Sequence, residues 1–181
     1  VYVVLLLGCI SYSKESLAIL FGVFLLIGVY EFCKMTQLNY FISIPLSGIA
    51  YYFLWNKSND IQLKTFIVVG AILISIKLLF YLFSLQKTTF TSSTRYLLLV
   101  GYIIMPFILT NYVTLGKKGY NPKILISIIV LIWTNDTFAY LVGISMGKTK
   151  LFERISPKKT IEGFSGGLVF AMIAGVLLAQ F

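Results

Sequence analysis

The sequence predicts an all-α, polytopic bundle of about seven transmembrane helices. Of its 181 residues, 59% are hydrophobic and 12% are charged, and the mean hydropathy of +0.92 lies outside the range of soluble domains. The apolar residues form runs of about 17 to 25 residues, the length that a helix needs to cross a bilayer. Segments of alternating polarity, which are typical of an outer-membrane barrel, are absent from the sequence.

Short polar stretches separate the apolar runs and mark the span boundaries. We place the spans at roughly 1–11, 17–32, 40–55, 61–83, 96–113, 124–143 and 163–181. The chain both opens and closes within an apolar run. We therefore expect a single membrane domain that is a piece of a longer protein, truncated at both ends.

The charge of +9 does not indicate a nucleic-acid partner, because the basic residues are dispersed among the loops and form no continuous stripe. Lysines that flank spans are instead expected to contact the headgroups of membrane lipids. The chain has no histidine, and Cys9 and Cys33 both lie in apolar segments. Zinc chemistry, histidine acid–base catalysis and a disulfide framework are therefore not expected.

The distribution of basic residues over alternate loops predicts the sidedness of the chain. The smaller set consists of Lys14, Lys57, Lys64, Lys117, Lys118 and Lys123. The larger set consists of Lys34, Lys87, Arg95, Lys148, Lys150, Arg154, Lys158 and Lys159. Since cytoplasmic loops carry the excess of Lys and Arg, we predict a multi-pass protein of a plasma membrane with loop 147–162 in the cytoplasm.

The sixth span carries an acid within an apolar segment. On a helix, whole-turn separations place an acid, a phenol and two glycines on one face: Asp136, Tyr140, Gly143 and Gly147. Asp136 is either a hydrogen-bonded structural acid or a carboxylate that binds a divalent cation or orients substrate. Asn135 could add a neutral oxygen ligand, although it points about 100° away around the helix.

The following loop is the densest basic segment of the chain. Ser156 is a candidate N-cap and Pro157 suits a first helical turn, so we expect a helix to begin here with free amides that favour an anion. Lys158 and Lys159 would then oppose the helix dipole, which a bound anion would relieve. Gly163, Gly166 and Gly167 serve either close helix packing or the approach of backbone to phosphate.

These motifs together resemble those of the bacterial phosphatidate cytidylyltransferases, also called CDP-diacylglycerol synthases. The resemblance lies in Asp136-x-x-Ala139-Tyr140-x-x-Gly143-x-x-x-Gly147 and in Ser156-Pro157-Lys158-Lys159-Thr160-x-Glu162-Gly163-x-x-Gly166-Gly167. The second block is highly specific, and the first block at this distance strengthens it. The earlier spans resemble the family only in hydropathy and in a Glu31-Phe32 ending.

The resemblance implies an inner-membrane enzyme that condenses CTP with phosphatidic acid, releases pyrophosphate and requires Mg²⁺. It implies catalytic roles for Asp136, Lys158, Lys159 and Glu162, with Asp136 also a metal ligand. The expected substrate-binding residues are Asn135, Tyr140, Ser156, Thr160, Gly163, Gly166 and Gly167. A homodimer is left open. The acidic, glycine-rich C-terminal segment of the family is missing from this sequence, so residues 1–181 alone are expected to be inactive.

Two other functions fit the membrane setting. A CTP-dependent lipid kinase of the polyprenol or phytol type would phosphorylate a lipid alcohol and release CDP. A transporter would also carry polar residues within its spans, but it should show an internal repeat, which the sequence does not.

Overall fold

The computed structural model describes residues 2–57, 60–84, 90–116 and 119–180. The helices are α1 (Tyr2–Tyr12), α2 (Lys14–Thr36), α3 (Tyr40–Asn56), α4 (Ile61–Phe83), α5 (Ser92–Leu98), α6 (Met105–Val113), α7 (Pro122–Met146) and α8 (Ile161–Leu178). A π-helical segment, Leu99–Ile104, joins α5 to α6. Two short hairpins pair β1 (Leu115–Gly116) with β2 (Gly119–Tyr120) and β3 (Lys150–Phe152) with β4 (Ser156–Thr160). The described residues do not include Lys87, Lys117 and Lys118, which the predicted sidedness uses, or the terminal residues Val1 and Phe181 of the predicted spans.

Five helical segments of the described chain are long and apolar enough to cross a membrane: Lys14–Thr36, Ile61–Phe83, Ser92–Val113, Pro122–Met146 and Ile161–Leu178. The third of these contains α5, the π-helical segment and α6. With 11 residues α1 is much shorter, and α3 has 17. The chain is thus a helical membrane protein, but the predicted number of about seven spans is not confirmed.

The helix boundaries follow local capping chemistry. The side chain of Ser13 accepts the backbone N–H of Ser16, and the Ser16 side chain accepts that of Ser13, which starts α2 with a reciprocal capping box. The side chain of Asp60 accepts the N–H groups of Gln62 and Leu63 at the start of α4. These polar side chains satisfy backbone groups that the first turn of a helix leaves unpaired.

The chain divides into two compact units, Val1–Pro122 and Lys123–Phe181. In the first unit, α2, α3, α4 and the π-helical segment with α6 pack around a core that includes Leu25, Val29, Ile67, Leu99 and Ile108. Gly101 of the π-helical segment lies against the side chain of Ile74 of α4, which leaves no room for a Cβ.

Buried polar groups join the helices of the first unit. The Tyr51 hydroxyl donates to the Ala18 carbonyl at 2.9 Å and accepts the Asn111 side-chain amide at 2.8 Å. This chain of hydrogen bonds connects α2, α3 and α6. The Arg95 guanidinium donates to the Thr36 carbonyl at 2.8 Å, so the start of α5 and the end of α2 lie at the same edge of this unit.

The second unit contains α7, the β3–β4 hairpin and α8. Antiparallel pairing places Lys150 opposite Thr160 and Phe152 opposite Ser156, with an irregularity between these two pairs. The rings of Phe138 in α7 and Phe170 in α8 stack with centroids 3.7 Å apart. The hairpin therefore connects two helices that pack on each other.

Candidate functional site

Three glycines of α8 face α7 and set how closely the two helices approach. A Cβ on Gly163 would lie 2.6 Å from the Ala139 carbonyl oxygen, and one on Gly166 would lie 2.6 Å from the Val142 side chain. A Cβ on Gly167 would lie 2.8 Å from the Asn135 carbonyl oxygen. The packing interpretation of these glycines is therefore the one that the geometry supports.

The predicted part of Gly163, Gly166 and Gly167 in substrate binding stays a prediction, and on the side that faces α7 the three glycines serve packing. On the side that faces α7, the backbone of these glycines is in contact with that helix, which leaves no space for a phosphate there. Gly163 and Gly167 are buried, and the Gly163 N–H already donates to the Thr160 hydroxyl oxygen at 3.1 Å. These glycines act in helix packing.

The expected helix start at Ser156 is wrong. Residues Ser156–Thr160 form strand β4, and α8 begins at Ile161 with Thr160 as its N-cap. Pro157 fits the edge of a two-stranded hairpin because it lacks an N–H to pair, and its carbonyl accepts the Lys150 ammonium at 2.6 Å. Lys158 and Lys159 thus lie on a strand and do not oppose a helix dipole.

Thr160 is buried, with 9% of its surface exposed, between the ends of α7 and α8. Its hydroxyl lies 3.4 Å from where a Cβ of Gly143 would be, and a Cβ on Gly147 would lie 2.8 Å from both its hydroxyl and methyl. The two glycines predicted on the face of Asp136 thus make room for this threonine. Thr160 caps α8 here, and its predicted role in substrate binding stays a prediction.

The Glu162 carboxylate, in the first turn of α8, is engaged with the backbone that leaves α7. Its Oε2 accepts the N–H of Lys148 at 3.1 Å, and both of its oxygens accept the N–H of Thr149 at 3.2 Å. The Ile161 N–H donates to the Thr149 carbonyl at 2.9 Å. At the observed start of α8, the amides of Ile161 and Gly163 donate to protein acceptors, the Thr149 carbonyl and the Thr160 hydroxyl.

Five exposed basic residues of this unit lie on the hairpin and on the segment that leads into it: Lys148, Lys150, Arg154, Lys158 and Lys159. Neither Lys158 nor Lys159 forms an ion pair with an acid in the described part of the chain. Neighbouring residues of a strand point to opposite sides, so the two ammonium groups extend from the two faces of the hairpin. Such exposed, unpaired ammonium groups are suited to binding a phosphate-rich anion.

Asp136 and Tyr140 lie on one side of α7 and are both exposed, Tyr140 to 66%. Asp136 accepts a long hydrogen bond of 3.3 Å from the side-chain amide of its neighbour Asn135. The side-chain oxygen of Asn135 lies 2.9 Å from where a Cβ on Gly167 would be, so the Asn135 side chain also contacts α8. Ten residues separate Asp136 from the end of α7 at Met146, which corresponds to about 15 Å along the helix axis.

The donor set for a metal ion is limited. Within the described ranges, no three His, Cys, Asp or Glu side chains come together in a group that could hold a metal. Mg²⁺, however, often takes only one or two carboxylates and completes its shell with water and substrate phosphates. The exposed carboxylate of Asp136 is suited to be one such ligand.

Two contributors to this site were not predicted. Thr149 uses both its backbone N–H and its carbonyl to connect the hairpin to α8, and the Val142 side chain packs at Gly166. Backbone roles of this kind leave no mark on residue type. The cap at Thr160, in contrast, had a signal in the sequence, because a threonine directly precedes an apolar run with Glu162 in its first turn.

Comparison with known proteins gives bacterial relatives named phosphatidate cytidylyltransferase. The chain is 35% identical over 123 residues to a phosphatidate cytidylyltransferase of Staphylococcus saprophyticus, which covers 68% of this chain and 44% of the relative. It is 30% identical over 157 residues to that of Bacillus subtilis, covering 83% of this chain and 58% of the relative. It is 50% identical over 56 residues to that of Aquifex aeolicus, covering 31% of this chain and 22% of the relative.

The chain spans less than half the length of the Staphylococcus saprophyticus relative. No solved structure matches it. The cytidylyltransferase family matches the sequence over residues 1–181, which include the α7–hairpin–α8 unit and the spans before it. The chain therefore belongs to the cytidylyltransferase family.

Proposed function

We propose that the intact protein is a phosphatidate cytidylyltransferase that makes CDP-diacylglycerol and pyrophosphate from CTP and phosphatidic acid. The observation that carries this proposal is family membership over residues 1–181, together with the shared name of the relatives. The exposed lysines of a hairpin between two membrane-spanning helices support it, because both substrates are phosphate-rich and one is a lipid.

In this reaction a phosphate oxygen of phosphatidic acid attacks the α-phosphorus of CTP. The bond from the α-phosphorus to the oxygen that bridges to the β-phosphorus breaks, and pyrophosphate leaves with that oxygen. The phosphate of phosphatidic acid, the α-phosphate of CTP and the departing pyrophosphate must therefore be held together against the repulsion between their anionic oxygens. Lys158 and Lys159, on opposite faces of one strand, would neutralise phosphate charge and hold the reactants in place.

Asp136 is the residue that would hold Mg²⁺ in this chain, and the ion would supply further neutralisation of phosphate charge. Tyr140, one turn further along α7, is an exposed hydroxyl that could donate to substrate. Ser156, at the start of β4, is partly exposed and could do the same. Their assignment rests on position in the family motif and on accessibility.

The location that fits this function is a bacterial inner membrane with the hairpin in the cytoplasm, where CTP is available. The larger number of basic residues on that set of loops supports this orientation. Cysteine labelling at position 158 in a Cys9→Ser, Cys33→Ser background would test it. An impermeant thiol reagent should label this site in inside-out vesicles and not in whole cells.

The function itself is tested with CTP labelled at either the α- or the γ-phosphorus, incubated with the intact protein and phosphatidic acid or a lipid alcohol. Transfer of the α-label to phosphatidic acid, with release of the γ-label as pyrophosphate, is the expected result. Transfer of the γ-label to the lipid alcohol would instead identify a lipid kinase. Absence of label from either lipid would overturn both assignments.

A further inference from the structure

We infer that Glu162 is a positioning residue, which fastens the basic hairpin to the end of α7 and does not exchange a proton during the reaction. This inference rests on the proposed function, since it assigns Glu162 a task in holding Lys158 and Lys159. It replaces the catalytic role that the resemblance to the family implied for this acid.

Hydrogen bonds around Glu162 join the two chain segments at the base of the hairpin. Its carboxylate accepts the N–H groups of Lys148 and Thr149, the two residues that directly precede β3. In the opposite direction, the Ile161 N–H donates to the Thr149 carbonyl at 2.9 Å. The two chain segments at the base of the hairpin are therefore joined from both sides, and Glu162 supplies more than half of these bonds.

These hydrogen bonds also stabilise the charge of the Glu162 carboxylate. Hydrogen bonds from backbone N–H groups stabilise the ionised form of an acid. Both oxygens of Glu162 are engaged, so uptake of a proton from a substrate would weaken bonds that hold the fold together. A proton acceptor in a transfer reaction is better served by an oxygen that no structural bond occupies.

The hairpin links the position of Glu162 to the positions of Lys158 and Lys159. Lys150 pairs with Thr160 at the base of the hairpin, and its ammonium also donates to the Pro157 carbonyl at 2.6 Å. Lys158 and Lys159 lie between these two attachments on β4. Because the strand is held at its base and along its length, release of the base at Glu162 would move both ammonium groups.

The hairpin supplies its own matched control. Glu153 is the other acid of this segment, lies in the turn between β3 and β4, and is exposed. The variants E153Q and E153A therefore repeat the charge changes of E162Q and E162A without removing the base of the hairpin. In E162Q, a single amide oxygen in the place of Oε2 can still accept both N–H groups, whereas E162A loses every acceptor.

The experiment compares these four variants of the intact protein in kcat and KM for CTP, and measures amide hydrogen exchange of residues 147–163. A positioning role predicts that E162Q stays within about threefold of wild type, while E162A loses about 10- to 100-fold in kcat/KM. The amides of Lys148 and Thr149 should exchange faster in E162A only. Both Glu153 variants should match wild type in activity and exchange.

A loss of about 10²-fold or more in the kcat of E162Q with unchanged exchange would overturn the inference, because it would show that the charge or proton of Glu162 reacts. Unchanged exchange in E162A would overturn it as well. If E162A does not fold, E162Q still decides between the two roles. If the wild-type protein makes no CDP-diacylglycerol, the proposed function fails, and hydrogen exchange alone reports whether Glu162 holds the hairpin.

Discussion

The hydroxyl oxygen of Thr160 accepts the backbone N–H of Gly163 at 3.1 Å, while the side chain of Thr160 fills the space that Gly143 and Gly147 leave at the end of α7. One residue thus caps α8 and packs the helix before it. The small residues at positions 143 and 147 and the threonine at 160 are parts of one contact.

This contact predicts that Thr160→Val destabilises the protein by about 1 kcal/mol, because valine keeps the shape but leaves the N–H of Gly163 without its acceptor. Thr160→Ser retains the hydroxyl and should lose less than half as much. Thermal unfolding of the intact protein in detergent measures both. A larger loss in Thr160→Ser than in Thr160→Val would show that the methyl group, and not the cap, is what matters.

The α7–α8 interface predicts that Gly167→Ala lowers stability. Its Cβ would lie 2.8 Å from the Asn135 carbonyl oxygen, and overpacking of this kind costs about 1–3 kcal/mol. Gly8→Ala is the matched control, because a Cβ there meets nothing within 4 Å and alanine favours a helix. Thermal unfolding should therefore separate the two alanine variants, and similar unfolding temperatures would argue against close packing of α8 on α7.

The buried hydrogen bonds of the first unit predict a difference between neighbouring tyrosines. Tyr51→Phe removes the bonds to Ala18 and Asn111 and should cost about 1 kcal/mol, near the usual value for hydrogen bonds between membrane helices. Tyr52→Phe is the control, since Tyr52 is 66% exposed. Chemical unfolding in detergent compares them, and an unaffected Tyr51 variant would mean that this chain of bonds adds nothing to stability.

The exposed lysines predict a loss of substrate affinity. A hydrogen bond to a charged group stabilises a complex by about 1.5–3 kcal/mol, and about 1.4 kcal/mol is tenfold, so Lys158→Gln with Lys159→Gln should lower kcat/KM for CTP by about tenfold or more. Lys57→Gln removes a lysine from the loop after α3 and should leave kcat/KM unchanged. Steady-state kinetics of the intact protein measures this, and an equal effect of the two changes would contradict a site at the hairpin.

Much of the architecture could be predicted because long apolar runs leave few alternatives to membrane-spanning helices. The sequence also located Asp136, Tyr140 and Gly143 on one helix, whereas Gly147 lies one residue beyond the end of α7. It did not reveal strand β4, because Ser156-Pro157 is equally suited to a helix start when the partner strand is unknown. The pairing with Lys150–Phe152 decides the matter, and that pairing depends on how α7 and α8 bring the two segments together.

The candidate site was predictable to a similar extent. Residue types marked Asp136, Lys158 and Lys159 as charges with potential function, and the structure leaves all three exposed. Residue types could not show that Thr160 and Glu162 have their polar atoms engaged by backbone N–H groups. The same side chains suit catalysis and capping, and only the position of the neighbouring backbone distinguishes the two.

The proposed enzyme depends most on Asp136, the single carboxylate assigned to the reacting phosphates. Asp136→Asn keeps the size of the side chain and removes its charge, so the intact protein should lose about 10²-fold or more of its Mg²⁺-dependent formation of CDP-diacylglycerol. The measurement is the initial rate in vesicles that contain phosphatidic acid, with Glu153→Gln as the control for a lost charge. A wild-type rate in Asp136→Asn, especially with altered ion flux across the vesicle membrane, would contradict the account.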